Sequence, residues 1–189
     1  MTIYPRDEEL VTKILARDDA AFSVLIKNTE KLVSQIVFKM ISSPADRKDI
    51  AQDVYVTVFR NLKDFRFQSK LSTWIGQIAY HACLKSIRKQ KLVLMEDVSV
   101  GDEQFADADS GQPETLFLKK ELSGVLRAAI EHLPPLYKTL ISLFHQEELS
   151  YQEISEITGL PEGTIKSYLY RARRTLKENI LLKYKREEL

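Results

Sequence analysis

The chain has 189 residues, 44% of them hydrophobic and 29% charged, which is enough apolar material for one large or two small cores and too much for a disordered polymer. Six Gly and six Pro exclude collagen-like and proline-rich architectures. A lone cysteine, Cys83, excludes an intrachain disulfide framework and a cysteine-built zinc site, and fits a reducing compartment. The formal net charge of +1 averages unlike parts. Leu92 to Leu118 carries seven acidic residues (Glu96, Asp97, Asp102, Glu103, Asp107, Asp109, Glu114) and no Lys or Arg. Arg60 to Lys91 holds eight basic residues against Asp64, and Leu160 to Arg186 holds eight against Glu162 and Glu178. Two basic bodies flank an acidic strip, the pattern of a polyanion binder with two sites.

In chain order, Met1 to Leu10 bears Arg6, Asp7, Glu8 and Glu9 and lacks the apolar run of a signal peptide. No later stretch approaches the roughly 18 apolar residues of a membrane span. A soluble, cytoplasmic protein without direct membrane insertion is expected. Apolar residues recur at helical spacing from Phe22 to Met40, and again at Ile50, Val54, Val58 and Leu62, with Pro44 and Asp46-Arg47-Lys48-Asp49 marking the second start. A third helix is predicted from about Ser72 to Lys89, through Ile75, Ile78, Ala79, Ala82 and Ile87. Periodicity then fails: Val98 to Pro113, rich in Gly, Asp, Ser and Ala, reads as a flexible linker extended by charge repulsion. Past it, Leu118, Leu122, Val125, Ala129 and Leu133 form one stripe, stopped by Pro134-Pro135. With no strand or hairpin signal, the fold class expected is all-α. Two helical domains, 1–93 and 114–189, are joined by an acidic linker over 94–113 that permits both compact and open arrangements.

The stretch from Leu149 to Glu178 is the most informative. Ser150-Tyr151-Gln152-Glu153 is a capping box, and Ile154 and Ile157 point inward from the short helix it opens. Gly159 stands where that helix must stop with a left-handed residue, Leu160 packs into the corner, and Pro161 favours a new start. Short helix, Gly-containing turn and longer helix make a helix-turn-helix. At about 100° per residue, Ile165, Leu169, Ala172 and Leu176 fall on the buried side of the second helix. Gly163, Ser167, Tyr170 and Arg174 face away, flanked by Lys166 and Arg171. Such a face can reach base edges while its cations hold phosphates.

From Asp49 to Lys91, cations alternate with aromatics: Phe59, Phe65, Phe67, Trp74 and Tyr80 among Arg60, Lys63, Arg66, Lys70, Lys85, Arg88 and Lys89. Phosphate attraction combined with π faces is the chemistry of holding unstacked bases. Most of these rings are nevertheless expected in the core, Phe59 and Trp74 among them. The short polar loop Phe67-Gln68-Ser69-Lys70 is the better candidate for touching nucleic acid.

These segments resemble a known family, the bacterial RNA polymerase sigma factors of the small extracytoplasmic-function (ECF) class, over nearly the whole chain. DIAQDVYVTVF (Asp49 to Phe59) resembles the helix that docks on the polymerase β′ clamp. FRFQSKLSTW (Phe65 to Trp74) resembles the loop and helix that capture a flipped base of the −10 element. LSYQEISEITGLPEGTIKSYLYRAR resembles the helix-turn-helix that reads the −35 element. The resemblance implies polymerase contacts from Asp49, Gln52 and Asp53, and a base-capturing loop of Phe67, Gln68, Ser69 and Lys70, continued along the helix by Trp74, His81, Lys85 and Arg88. It implies −35 contacts from Lys166, Ser167, Tyr170, Arg171 and Arg174. The implied partners are core RNA polymerase (β′ clamp and β flap), promoter DNA and an anti-sigma factor, with no cofactor and no small-molecule substrate. Four positions depart from the family pattern: His81 replaces a common Asn, Lys85 a common Asp, Tyr168 a common Arg and Ser155 a common Ala. All four bear on promoter preference, His81 and Lys85 at the −10 element and Tyr168 and Ser155 at the −35 element, while the Ser at 155 still fits the helix packing.

An enzyme is not expected. His81 and Cys83 are two apart on a predicted helix and face different ways, so they form no nucleophile–base pair. His132 and His145 lack the companions of a metal site. Two other readings compete with the sigma factor. A conventional helix-turn-helix regulator leaves the basic-aromatic segment and Asp49, Gln52 and Asp53 unexplained, and a sigma-like decoy for an anti-sigma factor has no need of Lys166, Arg171, Arg173 and Arg174.

Overall fold

The computed structural model describes residues 5–96 and 117–187; most of the expected linker, 97–113, lies outside them. The described residues form eight α-helices and no strand: α1 (Pro5–Leu15), α2 (Asp19–Met40), α3 (Pro44–Asn61), α4 (Leu71–Glu96), α5 (Phe117–Glu131), α6 (Pro135–His145), α7 (Tyr151–Thr158) and α8 (Glu162–Glu187). A 3-10 turn, Leu62–Asp64, lies between α3 and α4. The all-α expectation holds. The start of α3 is set by Ser43, whose hydroxyl accepts from the Asp46 amide, with Pro44 at the first helical position, where its missing N–H costs nothing.

α2 is the axis of the molecule. Asp18 caps it by accepting from the Ala21 amide at 3.1 Å, and its inward face places Leu25, Val33, Ile36 and Val37 almost wholly out of water. Burial of each such side chain contributes about 1.5–3 kcal/mol. On one side α2 packs against α1, α3 and α4; on another it packs against α6, while α7 lies on α4. A buried threonine, Thr29, donates to the Leu25 carbonyl at 2.8 Å and lies 3.2 Å from the Tyr55 hydroxyl, so its polar group is satisfied.

The two halves of the chain therefore meet. Gly76 on α4 permits the approach: a Cβ there would stand 3.0 Å from Ile157 Cδ1 on α7 and 3.3 Å from Leu32 Cδ2 on α2. Around this contact the ion pairs all run in one direction. Lys31 meets Glu147 at 3.1 Å, Lys39 meets Glu131, and Lys70 meets Glu153 at 2.7 Å. The Ser142 hydroxyl donates to Gln35 Oε1 at 2.9 Å. In each ion pair the N-terminal half supplies the lysine and the C-terminal half the glutamate.

The contrast between neighbours on α2 gives a direct check. Leu25 is fully buried and Val24 is 47% exposed. Leu25→Ala is expected to lower unfolding free energy by about 2–5 kcal/mol, and Val24→Ala by less than about 0.5 kcal/mol, both measured by urea denaturation.

Candidate nucleic-acid interface

The C-terminal element is built from its cap outward. The Ser150 hydroxyl accepts from the Glu153 amide at 3.2 Å, and Glu153 Oε2 accepts from the Ser150 amide at 2.9 Å, which closes the capping box. Gly159 ends α7 at φ +72°, the left-handed region that costs a glycine nothing. Ser155, at one of the departures from the family pattern, clips this turn: its hydroxyl donates to the Leu160 carbonyl at 2.7 Å. Pro161 leads into α8, whose first turn holds Thr164 and Ile165 by amide donation to the Pro161 carbonyl.

α8 presents the two sides read from its periodicity. Ile165, Leu169, Ala172 and Leu176 are buried, while Gly163, Lys166, Ser167, Tyr170, Arg171 and Arg174 are exposed. Tyr170 is 68% exposed. Lys166 Nζ sits 5.1 Å over the Tyr151 ring and 3.9 Å from Glu162, so it is oriented by α7 and remains at the surface. Arg174 pairs with Glu178 at 2.8 Å. Arg173 is engaged elsewhere, over Phe144 at 5.5 Å and 3.3 Å from His145 Nε2. Burial, helped by that guanidinium, pushes the His145 pKa down. Tyr168 packs its ring 5.7 Å from Tyr137 of α6, so the residue replacing the usual arginine serves the joint between α6 and α8.

The N-terminal candidates form two surfaces. Trp74, His81, Lys85 and Arg88 lie within about 60° of one another around α4, with His81, Lys85 and Arg88 exposed and Trp74 half-buried. Trp74 rests against Phe65 with ring centroids 5.1 Å apart. The loop leading into this stripe carries exposed Gln68 and Lys70 and half-buried Phe67 and Ser69. Phe67 has φ +54°, a left-handed conformation that costs an aromatic residue about 1–2 kcal/mol, and it is held there with its ring 4.8 Å from Phe65. Asp7 of α1 reaches across to accept from the Leu71 amide at 2.9 Å, capping α4 from a distant part of the chain.

The second surface lies on α3. Asp49, Gln52 and Asp53 are exposed on one side, and Val56 (46%) and Phe59 (58%) extend it. This corrects the expectation that Phe59 is core. Phe59 follows the buried Val58 by one residue and so turns about 100° off the buried stripe; its ring meets that of Phe22 edge-on, with centroids 5.3 Å apart. Val56 and Phe59 were missed as surface residues because aromatic and β-branched types are ordinarily assigned to cores, although the helical angle alone placed them beside Asp49 and Asp53.

Among the described residues no group of three or more His, Cys, Asp or Glu could hold a metal ion, and no helix is long and apolar enough to cross a membrane. Cys83 is buried, and burial pushes its thiol up to about 12, which removes the thiolate that nucleophilic chemistry would need.

A helix-turn-helix with an exposed polar and cationic face, set on an all-helical chain that carries a second basic and aromatic surface, defines a DNA-reading protein with two contact regions. The model for Sigma-70 region 2 matches residues 25–93, and that for Sigma-70, region 4 matches residues 123–176. The ECF RNA polymerase sigma factor SigW of Bacillus subtilis is 29% identical over 90% of this chain and 94% of its own. The ECF RNA polymerase sigma-E factor of Haemophilus influenzae is 29% identical over 92% and 95%. Among solved structures, CnrH in complex with the cytosolic domain of CnrY superposes with TM-score 0.63 at 18% identity, covering 94% of this chain and 97% of that one. The sigma factor RpoE of Bartonella quintana with the anti-sigma factor NepR gives 0.64 at 22%, over 85% and 96%. The chain belongs to the sigma-70 family of transcription initiation factors, within its ECF class.

Two measurements follow from the site. Asp7→Ala leaves the Leu71 amide without its acceptor and is expected to cost about 1 kcal/mol, with faster hydrogen exchange in the first turn of α4. Burial opposes ionisation of Glu153 and Glu131, but Lys70 with Ser150, and Lys39 with Lys138, outweigh it, so both carboxyls lie below their usual 4.5. A lowered folded-state pKa stabilises above the unfolded value and loses that contribution as pH falls through the folded one. Docking of the two halves is therefore expected to weaken only below about pH 4.5, read as a rise in radius of gyration.

Proposed function

We propose that this protein binds core RNA polymerase and carries it to promoters, reading −35 duplex with α8 and holding the opened −10 strand with the 65–70 loop and α4. In this reading Lys166, Ser167, Tyr170, Arg171 and Arg174 contact the −35 element. Phe67, Gln68, Ser69, Lys70, Trp74, His81, Lys85 and Arg88 contact the −10 element. Asp49, Gln52 and Asp53, together with Val56 and Phe59, face the β′ clamp, and the C-terminal unit meets the β flap. The working units are 1–93 and 114–189, tethered through 94–113. The function is binding work done in the cytoplasm, where the polymerase is: two weak DNA contacts gain affinity by sharing one tethered frame. An anti-sigma factor as regulatory partner is supported by the complex of the Bartonella quintana sigma factor RpoE with the anti-sigma factor NepR.

The observation that carries the reading is the exposed acidic and apolar face of α3, with Phe59 58% exposed at its end, on the same chain as a helix-turn-helix. A regulator that works on an operator alone has no use for that face. Sigma-free core polymerase, supplied with this protein and a genomic fragment library, is expected to yield discrete run-off transcripts that share a two-part upstream element. Arg171→Ala should lower their yield about ten- to a hundredfold at limiting protein, the loss of one good base or phosphate contact. Phe59→Ala should weaken polymerase binding about tenfold while leaving duplex −35 binding unchanged. Absence of transcripts together with footprinting by the protein alone would instead support the operator-binding regulator.

A further inference from the structure

The turn between α7 and α8 is gripped by two hydroxyls of α7. Gly159 ends α7 by donating its amide to the Ser155 carbonyl at 2.8 Å. At the next residue both backbone groups are taken by side chains. The Leu160 amide donates to Thr158 Oγ1 at 3.3 Å, and the Leu160 carbonyl accepts from the Ser155 hydroxyl at 2.7 Å. The Thr158 hydroxyl is itself aimed by donating to the Ile154 carbonyl at 2.7 Å. Pro161 has no amide to place, and its carbonyl receives the first amides of α8. Burial of Ile154, Ile157, Ile165 and Leu169 keeps α7 and α8 together, but apolar attraction has no direction. The angle between the helices is set by the directional bonds of the turn, and two of those come from side chains.

That angle matters at the far end of the reading face. Arg171 lies nine residues beyond Glu162, where α8 begins, or about 14 Å along the helix. A tilt of about 10° at the turn would carry it sideways by about 2 Å, enough to break a hydrogen bond of about 2.9 Å. In a helix-turn-helix the first helix crosses the DNA backbone while the second reads base edges, so the same angle registers phosphate contacts against base contacts. We infer that Ser155 and Thr158 are positioning residues for −35 recognition, holding α8 through the Leu160 turn at the angle its base contacts require. The inference rests on the sigma-factor reading for what α8 contacts. Thr158 is buried and Ser155 half-buried, so both act through the turn and not by touching DNA. Ser155 stands where the family commonly has an alanine, which has no hydroxyl. This chain therefore holds its recognition helix by one bond more, and tolerates fewer mismatches in the −35 element.

Discrimination, rather than yield, is the quantity to measure. Full-length protein with core polymerase is given a promoter recovered from the run-off library, with each position of its −35 and −10 elements varied in turn, and transcripts are counted for each sequence. The ratio of matched to singly mismatched promoters does not depend on the fraction of active protein. Ser155→Ala and Thr158→Val should each lower that ratio at the −35 element about two- to tenfold, the range one hydrogen bond covers, and leave it unchanged at the −10 element. Thr158→Ser separates positioning from packing: it keeps the hydroxyl and gives up a methyl group, whereas Thr158→Val keeps the shape and gives up the hydroxyl. Thr158→Ser should discriminate as the unmodified chain does. An unchanged −35 ratio in either variant that lacks a hydroxyl, an equal fall at the −10 element, or a larger fall for Thr158→Ser than for Thr158→Val would each overturn the inference. Failure of the unmodified chain to initiate would be a failure of the sigma-factor reading, and is seen before any variant is made. The same ratios are then read as binding of the full chain to duplexes it selects from a random pool, and a chain that selects none overturns both.

Discussion

The seat of Ile157 over Gly76 is the contact on which the rest of the arrangement depends. Any side chain at position 76 would meet Ile157 Cδ1 at 3.0 Å and Leu32 at 3.3 Å, closer than packed atoms tolerate without shifting. With α7 drawn onto α4, Glu153 comes within reach of Lys70, and α6 is brought alongside α2, where Ser142 meets Gln35. The apolar contact supplies the larger share of the energy: burying Ile157 is worth about 1.5–3 kcal/mol, whereas each partly exposed ion pair is worth about 0.2–1 kcal/mol.

Glu153 shows how closely folding and docking are joined. One carboxylate oxygen completes the capping box of α7, and the other receives Lys70. The residue that starts the first helix of the helix-turn-helix is therefore also the one that holds the 65–70 loop against it.

Much of the fold was legible in local pattern. The capping box at Ser150, the left-handed Gly159 and the stripe Ile165, Leu169, Ala172, Leu176 are short-range features, and each is present as read. What was not legible is long-range or context-dependent. Asp7 capping α4 joins residues 64 apart in sequence, and the Lys70–Glu153 pair joins residues 83 apart; a sequence carries no local sign of either. Tyr168, a departure from the family pattern, proved to pack against Tyr137, which periodicity could place beside the core but could not pair. Phe59 is the instructive miss, since residue type argued for burial while helical angle argued for exposure, and angle prevailed. The 97–113 part of the acidic linker lies outside the described residues.

The cap that Asp7 lends to α4 has a consequence for building hybrids of such proteins. The segment from Pro44 onward looks like a portable cassette, with the exposed acidic and apolar face of α3, the 65–70 loop and the basic stripe of α4 in one uninterrupted run. Transplanted alone into a relative, it would arrive with the first amide of α4 unsupported and with Phe67 strained beside it. The natural unit of exchange is longer than the contact surface suggests. It includes the first helix, and a graft that matches its recipient at position 7 should keep the loop's shape where one that does not will lose it.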